Sequence, residues 1–312
     1  ATVAAMGSIL IPAMVAQGYD AGFSSALSAI SGSLGTVIPP SITFIIYGMI
    51  TGESIGDLFL SGIVPGLIFG FMLCIMVFIK SKKNGWKGET QRASLKEIGR
   101  LFLDTIWGLL SPVIVLGGIY SGLFTPTEAA AVAVVYSLIV GIFIYKELRL
   151  AELKETLFST AKTTGMILLI IMNAGIFSWV LTQQGIAASL TEMALALTDN
   201  KYIMLVIINI VFLCAGCVMD NTSALYILVP IIMPIAKALD INMIQLGVIL
   251  VLNLSIGQVT PPVGPNLYVA ADIGKVKFEE ICRKMVPLLL MSLLALLCIT
   301  YIPALSLCLI PS

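Results

Sequence analysis

Long apolar runs separated by short polar stretches organise this chain. Asp57–Lys80, Leu101–Gly122, Thr163–Thr182 and Ile281–Tyr301 are each apolar over the roughly 20 residues that a bilayer crossing takes. A further span opens on Thr125-Pro126-Thr127-Glu128 and runs to Tyr145. Its first four residues form a capping box, with Thr at the N-cap, Pro at N1 and Glu at N3. Ala1–Gln17 is apolar but short for a span, and Gly18-Tyr19-Asp20 ends it. Gly22–Val37 predicts a helix that breaks at Pro39-Pro40 and resumes through Tyr47. Tyr202–Met219 and Ala224–Leu239 are apolar arms flanking Asp220-Asn221-Thr222-Ser223. Met243–Val259 leads into a second break, completed by Asn266–Ala271. Lys80–Arg100 and Lys146–Lys154 predict polar loops, and Gly185–Asn200 is a mixed segment suited to a membrane interface.

The two breaks are copies of one another. Ser33–Pro40 reads S-L-G-T-V-I-P-P and Ser255–Pro262 reads S-I-G-Q-V-T-P-P, 222 positions further on. The same offset carries Pro12 onto Pro234. Proline removes a backbone donor and clashes with the preceding turn, so each segment must interrupt its helix. In lipid, an interrupted backbone persists only where protein buries it or a polar cavity receives it. Matched broken helices in corresponding parts of a hydrophobic chain mark the binding site of a transporter.

Composition agrees with a polytopic membrane protein. Hydrophobic residues make up 59% and charged residues 11% of the 312-residue chain, against about 25% charged in soluble domains. Formal charge is zero, so bulk charge selects no partner, and no basic patch with interleaved aromatics suggests nucleic acid. Histidine is absent, which removes the commonest metal ligand and general base. The six cysteines lie in or beside apolar runs. Cys214-Ala-Gly-Cys217 has a C-x-x-C form among Ile, Val, Phe and Leu, and reads as small apolar filler rather than a metal or redox site. No nucleophile constellation points to an enzyme.

Basic residues set a topology. Lys80, Lys82, Lys83, Lys87, Arg92, Lys96 and Arg100 form one cluster. Lys146, Arg149, Lys154 and Lys162 form a second; Lys275, Lys277, Arg283 and Lys284 form a third. Together they hold 15 of the 17 lysines and arginines. Cytoplasmic loops carry such an excess, and placing all three clusters there lets the spans alternate without conflict. The first break is then crossed from the cytoplasm outward and the second from outside inward, so the copies form an inverted-topology repeat. The arms around Asp220 predict a re-entrant hairpin entered from outside. By the offset, the tip and first arm of a matching cytoplasmic hairpin are expected just before Ala1, and Ala1–Gln17 is its second arm.

The candidate chemistry follows. Asp220 is an acidic residue between two membrane-embedded arms, a costly position whose default reading is functional; the alternative is an N-cap for Thr222–Leu239. Ser33, Gly35 and Thr36 at the first break, and Gly257, Gln258 and Thr260 at the second, lie where half-helices expose carbonyls at one end and amides at the other. Carbonyls and hydroxyls suit a dehydrated Na⁺, and amides at the positive dipole end suit a carboxylate. Ser41 and Thr43 past the first break, with Asn221 at the tip and Asn266 past the second break, are candidate substrate contacts. Asn253 reads as an interhelical hydrogen bond, Glu128 as a helix cap, and Trp86, Trp107 and Trp179 as interface anchors or packing.

Several stretches together resemble the large membrane (M) subunit of tripartite ATP-independent periplasmic (TRAP) transporters. They are A-T-V-A-A-M-G-S-I-L-I-P-A-M at Ala1–Met14, G-Y-D at Gly18–Asp20, G-T-V-I-P-P-S at Gly35–Ser41, L-G-G-I-Y-S-G-L-F-T-P-T-E-A-A at Leu116–Ala130, M-D-N at Met219–Asn221 and T-P-P-V-G-P-N-L at Thr260–Leu267. The resemblance covers essentially the whole chain. It implies an all-α, inverted-repeat, elevator-type importer with re-entrant hairpins and two Pro-broken helices, in the bacterial cytoplasmic (inner) membrane. Residues 1–52 and 185–274 would be the halves of a transport domain, 53–184 scaffold and connecting spans, and 275–312 a C-terminal span. It further implies Na⁺ as coupling ion, a small Q subunit, separate or fused, and an extracytoplasmic substrate-binding protein. The substrate would be a carboxylate such as a C4-dicarboxylate, a sialic acid or a 2-oxo acid. Na⁺ would sit near Ser33, Gly35 and Thr36, and near Gly257, Thr260 and Asp220. A stand-alone ion-coupled carboxylate carrier and a non-transporting membrane scaffold are the competing expectations.

Overall fold

A computed structural model describes residues 2–86 and 94–310. Ala1, and Lys87 and Arg92 of the first basic cluster, lie outside the described residues. Every regular element among the described residues is helical: α1 (Thr2–Ala16), α2 (Ala21–Leu34), α3 (Ile42–Thr51), α4 (Ile55–Asn84), α5 (Leu95–Tyr120), α6 (Pro126–Ile139) with a π turn at Val140–Ile144, α7 (Leu150–Gln183), α8 (Ile186–Leu197), α9 (Lys201–Val218), α10 (Asn221–Ala238), α11 (Met243–Gly257), α12 (Pro265–Gly274), α13 (Phe278–Tyr301) and α14 (Ala304–Leu307). Among them, seven are long and apolar enough to cross a membrane. The polar loops expected at Lys80–Arg100 and Lys146–Lys154 are shorter than expected. Charged side chains at helix ends keep contact with water while the backbone stays hydrogen-bonded, so α4 runs on to Asn84, α5 starts at Leu95 and α7 at Leu150.

The chain forms two compact units. One comprises residues 90–175 and holds α5, α6, the π turn and most of α7. The capping box is present as expected: Thr125 Oγ1 accepts from Glu128 N, and Thr125 N donates to Glu128 Oε2 at 2.8 Å. Tyr136 donates its hydroxyl to Trp107 O at 2.7 Å and Tyr145 donates to Asp104 O at 3.0 Å, tying α6 and the π turn to α5.

The other unit comprises residues 1–89 and 176–312. Here the 222-residue relation extends far beyond the proline motifs. It carries α2 onto α11, α3 onto α12 and α4 onto α13, with ends agreeing to within a few residues. Pro65 inside α4 falls on Pro287 inside α13. The caps follow as well. Asp20 accepts from Phe23 N at the start of α2, and its counterpart Asn242 accepts from Ile244 N and Gln245 N at the start of α11. Short polar side chains stop the chain fraying where a helix must begin, so each copy resets its register at the same point.

The core of this unit is α11. From Gln245 to Gly257 every residue is buried, because α3, α4, α9, α10, α13 and α14 all pack against it. A helix apolar all round is stable only when enclosed in this way. Its few polar side chains bond to neighbours, with the Asn253 amide oxygen alone among them left without a partner. Asn253 donates to Asn209 Oδ1 on α9 at 2.8 Å, Asn209 donates to Thr300 Oγ1 on α13 at 3.1 Å, and Gln245 donates to Thr300 O at 3.0 Å. The interhelical bond expected of Asn253 is therefore present. Asn209→Ala leaves donor and acceptor groups unpaired on α11 and α13, and should cost about 1 kcal/mol. Thermal melting in detergent checks this; an unchanged midpoint would show that the network contributes nothing.

Candidate functional site

Each break is built the same way from local chemistry. After α2, Gly35 N, Thr36 N and Val37 N donate to the carbonyls of Gly32, Ser33 and Leu34 in a tightened last turn. After α11, Val259 N and Thr260 N donate to the carbonyls of Ile256 and Gly257. Both Pro-Pro bonds, Pro39-Pro40 and Pro261-Pro262, are cis. The chain then re-enters helix by different devices. Ser41 caps α3, its Oγ accepting from Phe44 N and donating to Thr36 O. Gly264 opens α12 with a positive φ of 51°, followed by Pro265 in the first helical turn.

The two broken helices lie side by side and run in opposite directions. Ser33 accepts from Asn266 Nδ2 at 2.9 Å, the hydroxyls of Thr36 and Ser255 share a hydrogen bond, and Tyr47 donates to Met243 O at 2.6 Å. Numbers rise along one partner as they fall along the other. Consistently, α2 packs on α12 while α3 packs on α11. Two carbonyl-bearing C-terminal ends and two amide-bearing N-terminal ends thus converge at one place. Helix dipoles give such a place negative and positive poles without a charged side chain.

The tip between α9 and α10 reaches this junction. Gly216 lies against Gly257 so closely that a Cβ on residue 257 would come within 2.6 Å of Gly216 Cα. Gln258 Nε2 donates to Asn221 Oδ1 at 2.9 Å, and Gln258 Oε1 accepts from Asn266 Nδ2 at 3.1 Å. A polar chain therefore runs from Asn221 through Gln258 and Asn266 to Ser33, linking the tip to both breaks.

Among the residues selected from sequence, Ser33, Thr36, Ser41, Asn221, Gly257, Gln258 and Asn266 are brought together by these contacts. Gly35 follows Leu34 at the same end of α2, where a Cβ would stand at ordinary contact distance from Gly32 O (3.4 Å) and Thr2 (3.6 Å). Thr260 is half-buried and donates to Ile256 O at 2.8 Å. Thr43 is buried within the first turn of α3, apart from the chain of contacts. Asp220 is exposed. It caps α10, accepting from Ser223 N at 3.0 Å and from Ser223 Oγ at 2.6 Å, so the capping alternative describes its bonds in this structure.

Three contributors escape the sequence reading. Ser255 is the counterpart of Ser33 under the offset, so the repeat itself pointed to it. Asn209 is an amide in an otherwise apolar helix, a signal in its own right. Gly216 carries no signal short of three dimensions. The oxygens assembled here are neutral hydroxyls, amides and main-chain carbonyls, a donor set that suits a hard monovalent cation better than a transition metal. Among the described residues no group of three His, Cys, Asp or Glu side chains comes together.

A helical, multi-spanning chain with paired broken helices around a neutral oxygen-lined junction is a membrane permease in architecture. Residues 1–305 match the family model described as "Tripartite ATP-independent periplasmic transporter, DctM component". The chain belongs to this family. It is 43% identical over 309 residues to the C4-dicarboxylate TRAP transporter large permease protein DctM of Pseudomonas aeruginosa, covering 99% of this chain and 72% of the relative. It is 42% identical over 304 residues to the isethionate TRAP transporter permease protein DctMQ of Oleidesulfovibrio alaskensis, covering 97% of this chain and 48% of the relative. It is 35% identical over 302 residues to the sialic acid TRAP transporter large permease protein SiaM of Vibrio cholerae, covering 97% and 70%. The chain thus spans about half to three-quarters of the length of these curated relatives.

Proposed function

We propose that this chain is the permease part of a Na⁺-driven secondary transporter that imports a small organic acid through the bacterial inner membrane. The observation that carries the reading is the antiparallel crossing of the two broken helices. An inverted repeat places equivalent gates on opposite sides of one site, which is the arrangement alternating access requires. Na⁺ is held near Ser33, Gly35 and Thr36 at one break and near Gly257, Gln258, Thr260 and Asp220 at the other. The carboxylate lies between the tips, within reach of Ser41, Thr43, Asp220, Asn221 and Asn266. The relatives' names support an acid as substrate, since isethionate, C4-dicarboxylates and sialic acid are all anions.

Residues 1–52 and 185–274 act as the moving body of an elevator, and residues 53–184 as scaffold and connecting spans. An extracytoplasmic protein delivers the acid, and a small membrane subunit packs on the scaffold. The relative named DctMQ is about twice as long as the stretch matched here, which supports a small subunit that is joined in some members and separate in others.

Uptake by proteoliposomes holding the whole transporter tests the reading. An inward Na⁺ gradient should drive accumulation of the acid only when its binding protein is present. Thr260→Ala should lower Na⁺-dependent uptake at least tenfold and melting only slightly, because the hydroxyl it removes bonds Ile256 O of its own helix and the weakly bonding Cys217 thiol. Uptake that ignores Na⁺ would refute the coupling, and uptake without the binding protein would favour a stand-alone carrier.

A further inference from the structure

The two helices that meet at the Asp220 tip are held in unlike ways. Directional contacts fasten α9 along its whole length. At its start, Tyr202 O accepts from the Tyr301 hydroxyl of α13 at 3.3 Å. In its middle, Asn209 accepts from Asn253 Nδ2 of α11 at its main-chain and side-chain oxygens, at 3.0 and 2.8 Å, and donates to Thr300 of α13. At its end, Gly216 abuts Gly257 backbone to backbone, and Cys217 O accepts from Gly264 N at 3.4 Å. No proline lies in α9, so its own ladder runs unbroken as well.

The described side chains of α10 reach other elements through one hydrogen bond, Asn221 Oδ1 accepting from Gln258 Nε2 at 2.9 Å. Otherwise α10 rests on α3, α8 and α11, with Leu225, Val229 and Ile232 among its buried residues. Apolar contact of this kind has no preferred direction. The ladder of α10 is also cut twice. Pro230 and Pro234 lie inside the helix and cannot donate to Tyr226 O and Pro230 O one turn earlier. Helices bend at such points. We infer that α10 is the moving arm of the tip: its first half, Asn221–Val229, swings about Pro230 and Pro234 to uncover the junction of the broken helices, while α9 stays fixed to α11.

The repeat places a joint of this kind in both copies. The 222-residue offset carries Pro234 onto Pro12, inside α1. Pro230 falls on Ser8, which keeps its amide, so α10 is cut twice where α1 is cut once. The latch is equally definite. Opening α10 must break the Asn221–Gln258 bond, and Gln258 Oε1 is held by Asn266, which also reaches Ser33. The bond that keeps the arm closed therefore belongs to the polar chain joining the two breaks. What the motion serves rests on the transport reading above; where it occurs rests on the bonds of α9 and α10 alone.

Hydrogen–deuterium exchange of the whole transporter in lipid nanodiscs tests this. Amides of Leu225–Val229, all within the helical ladder of α10, should exchange at least tenfold faster than those of Val211–Cys217 on α9. Replacing both prolines, Pro230→Ala with Pro234→Ala, restores the two donors and raises helix propensity. The α10 amides should then slow at least tenfold, with α9 unchanged and melting not lowered, and uptake of the acid should fall at least fivefold. Asn209→Ala should do the reverse, quickening exchange in α9 and leaving α10 as it was. Equal exchange in the two arms, or faster exchange in α9, overturns the inference, and so does exchange in α10 that ignores the proline replacements. Parental uptake by the stiffened variant overturns the gating role. Each of these results is distinct from uptake that ignores Na⁺, which refutes the coupling and leaves the moving arm in place.

Discussion

Gly257→Ala is expected to lower the melting temperature in detergent and reduce uptake more than tenfold, while Gly35→Ala leaves folding nearly untouched. The two glycines are counterparts in sequence but not in surroundings. A Cβ at 257 would lie 2.6 Å from Gly216 Cα, 2.7 Å from Gly216 C and 3.1 Å from Cys217 N. All three are main-chain atoms, so no side chain can swing aside and the end of α9 must retreat bodily. Overpacking costs about 1–3 kcal/mol, and a rigid backbone neighbour puts this case at the upper end. Retreat of α9 also loosens the Gln258–Asn221 contact that joins the tip to the second break. At position 35 the nearest atoms stand 3.4–3.6 Å away, ordinary contact distance. Equal melting of the two variants would contradict the close approach.

Asp220 should separate folding from transport. Asn caps a helix about as well as Asp does, so Asp220→Asn keeps α10 capped and should melt like the parent. It removes the formal charge nearest the junction, and Na⁺-dependent uptake should fall at least tenfold. Asp220→Ala removes both cap and charge, and should lose about 0.5–2 kcal/mol of stability as well. Full uptake by Asp220→Asn would leave Asp220 a cap and nothing more. Uptake against Na⁺ concentration, read beside melting curves for both variants, distinguishes these outcomes.

Much of the fold is legible because its punctuation is chemical. Pro39-Pro40 and Pro261-Pro262 leave no choice about where α2 and α11 end. Thr125–Glu128 announces a helix start, and the Asp20 and Asn242 caps recur at the spacing of the proline motifs. Helix ends in charged segments are harder to read, as α4 and α5 show by extending through lysines and arginines. The candidate site is legible in part, because Ser33 and Gln258 belong to the visible repeat. Which hydroxyls and amides meet depends on two helices crossing more than 200 residues apart in sequence. The Asn266–Ser33 bond and the Gly216–Gly257 approach are therefore visible only in space. Asp220 shows the limit from the other side: its residue type suits an ion and a cap equally well.

The crossing also constrains biosynthesis. Every bond joining the two breaks pairs a residue made early with one made late. At about 5–20 residues per second, Ser33 waits roughly 12–47 s for Asn266, 233 residues later, to leave the ribosome. During that interval Ser33 and Thr36 keep only their bonds to Ala29 O and Ser33 O, and the phenol of Tyr47 waits for Met243 O. The nascent permease is thus most exposed to misassembly and proteolysis before α11 and α12 arrive, and a slow stretch of translation anywhere between Tyr47 and Asn266 would lengthen its hazard, whereas one after Asn266 would not.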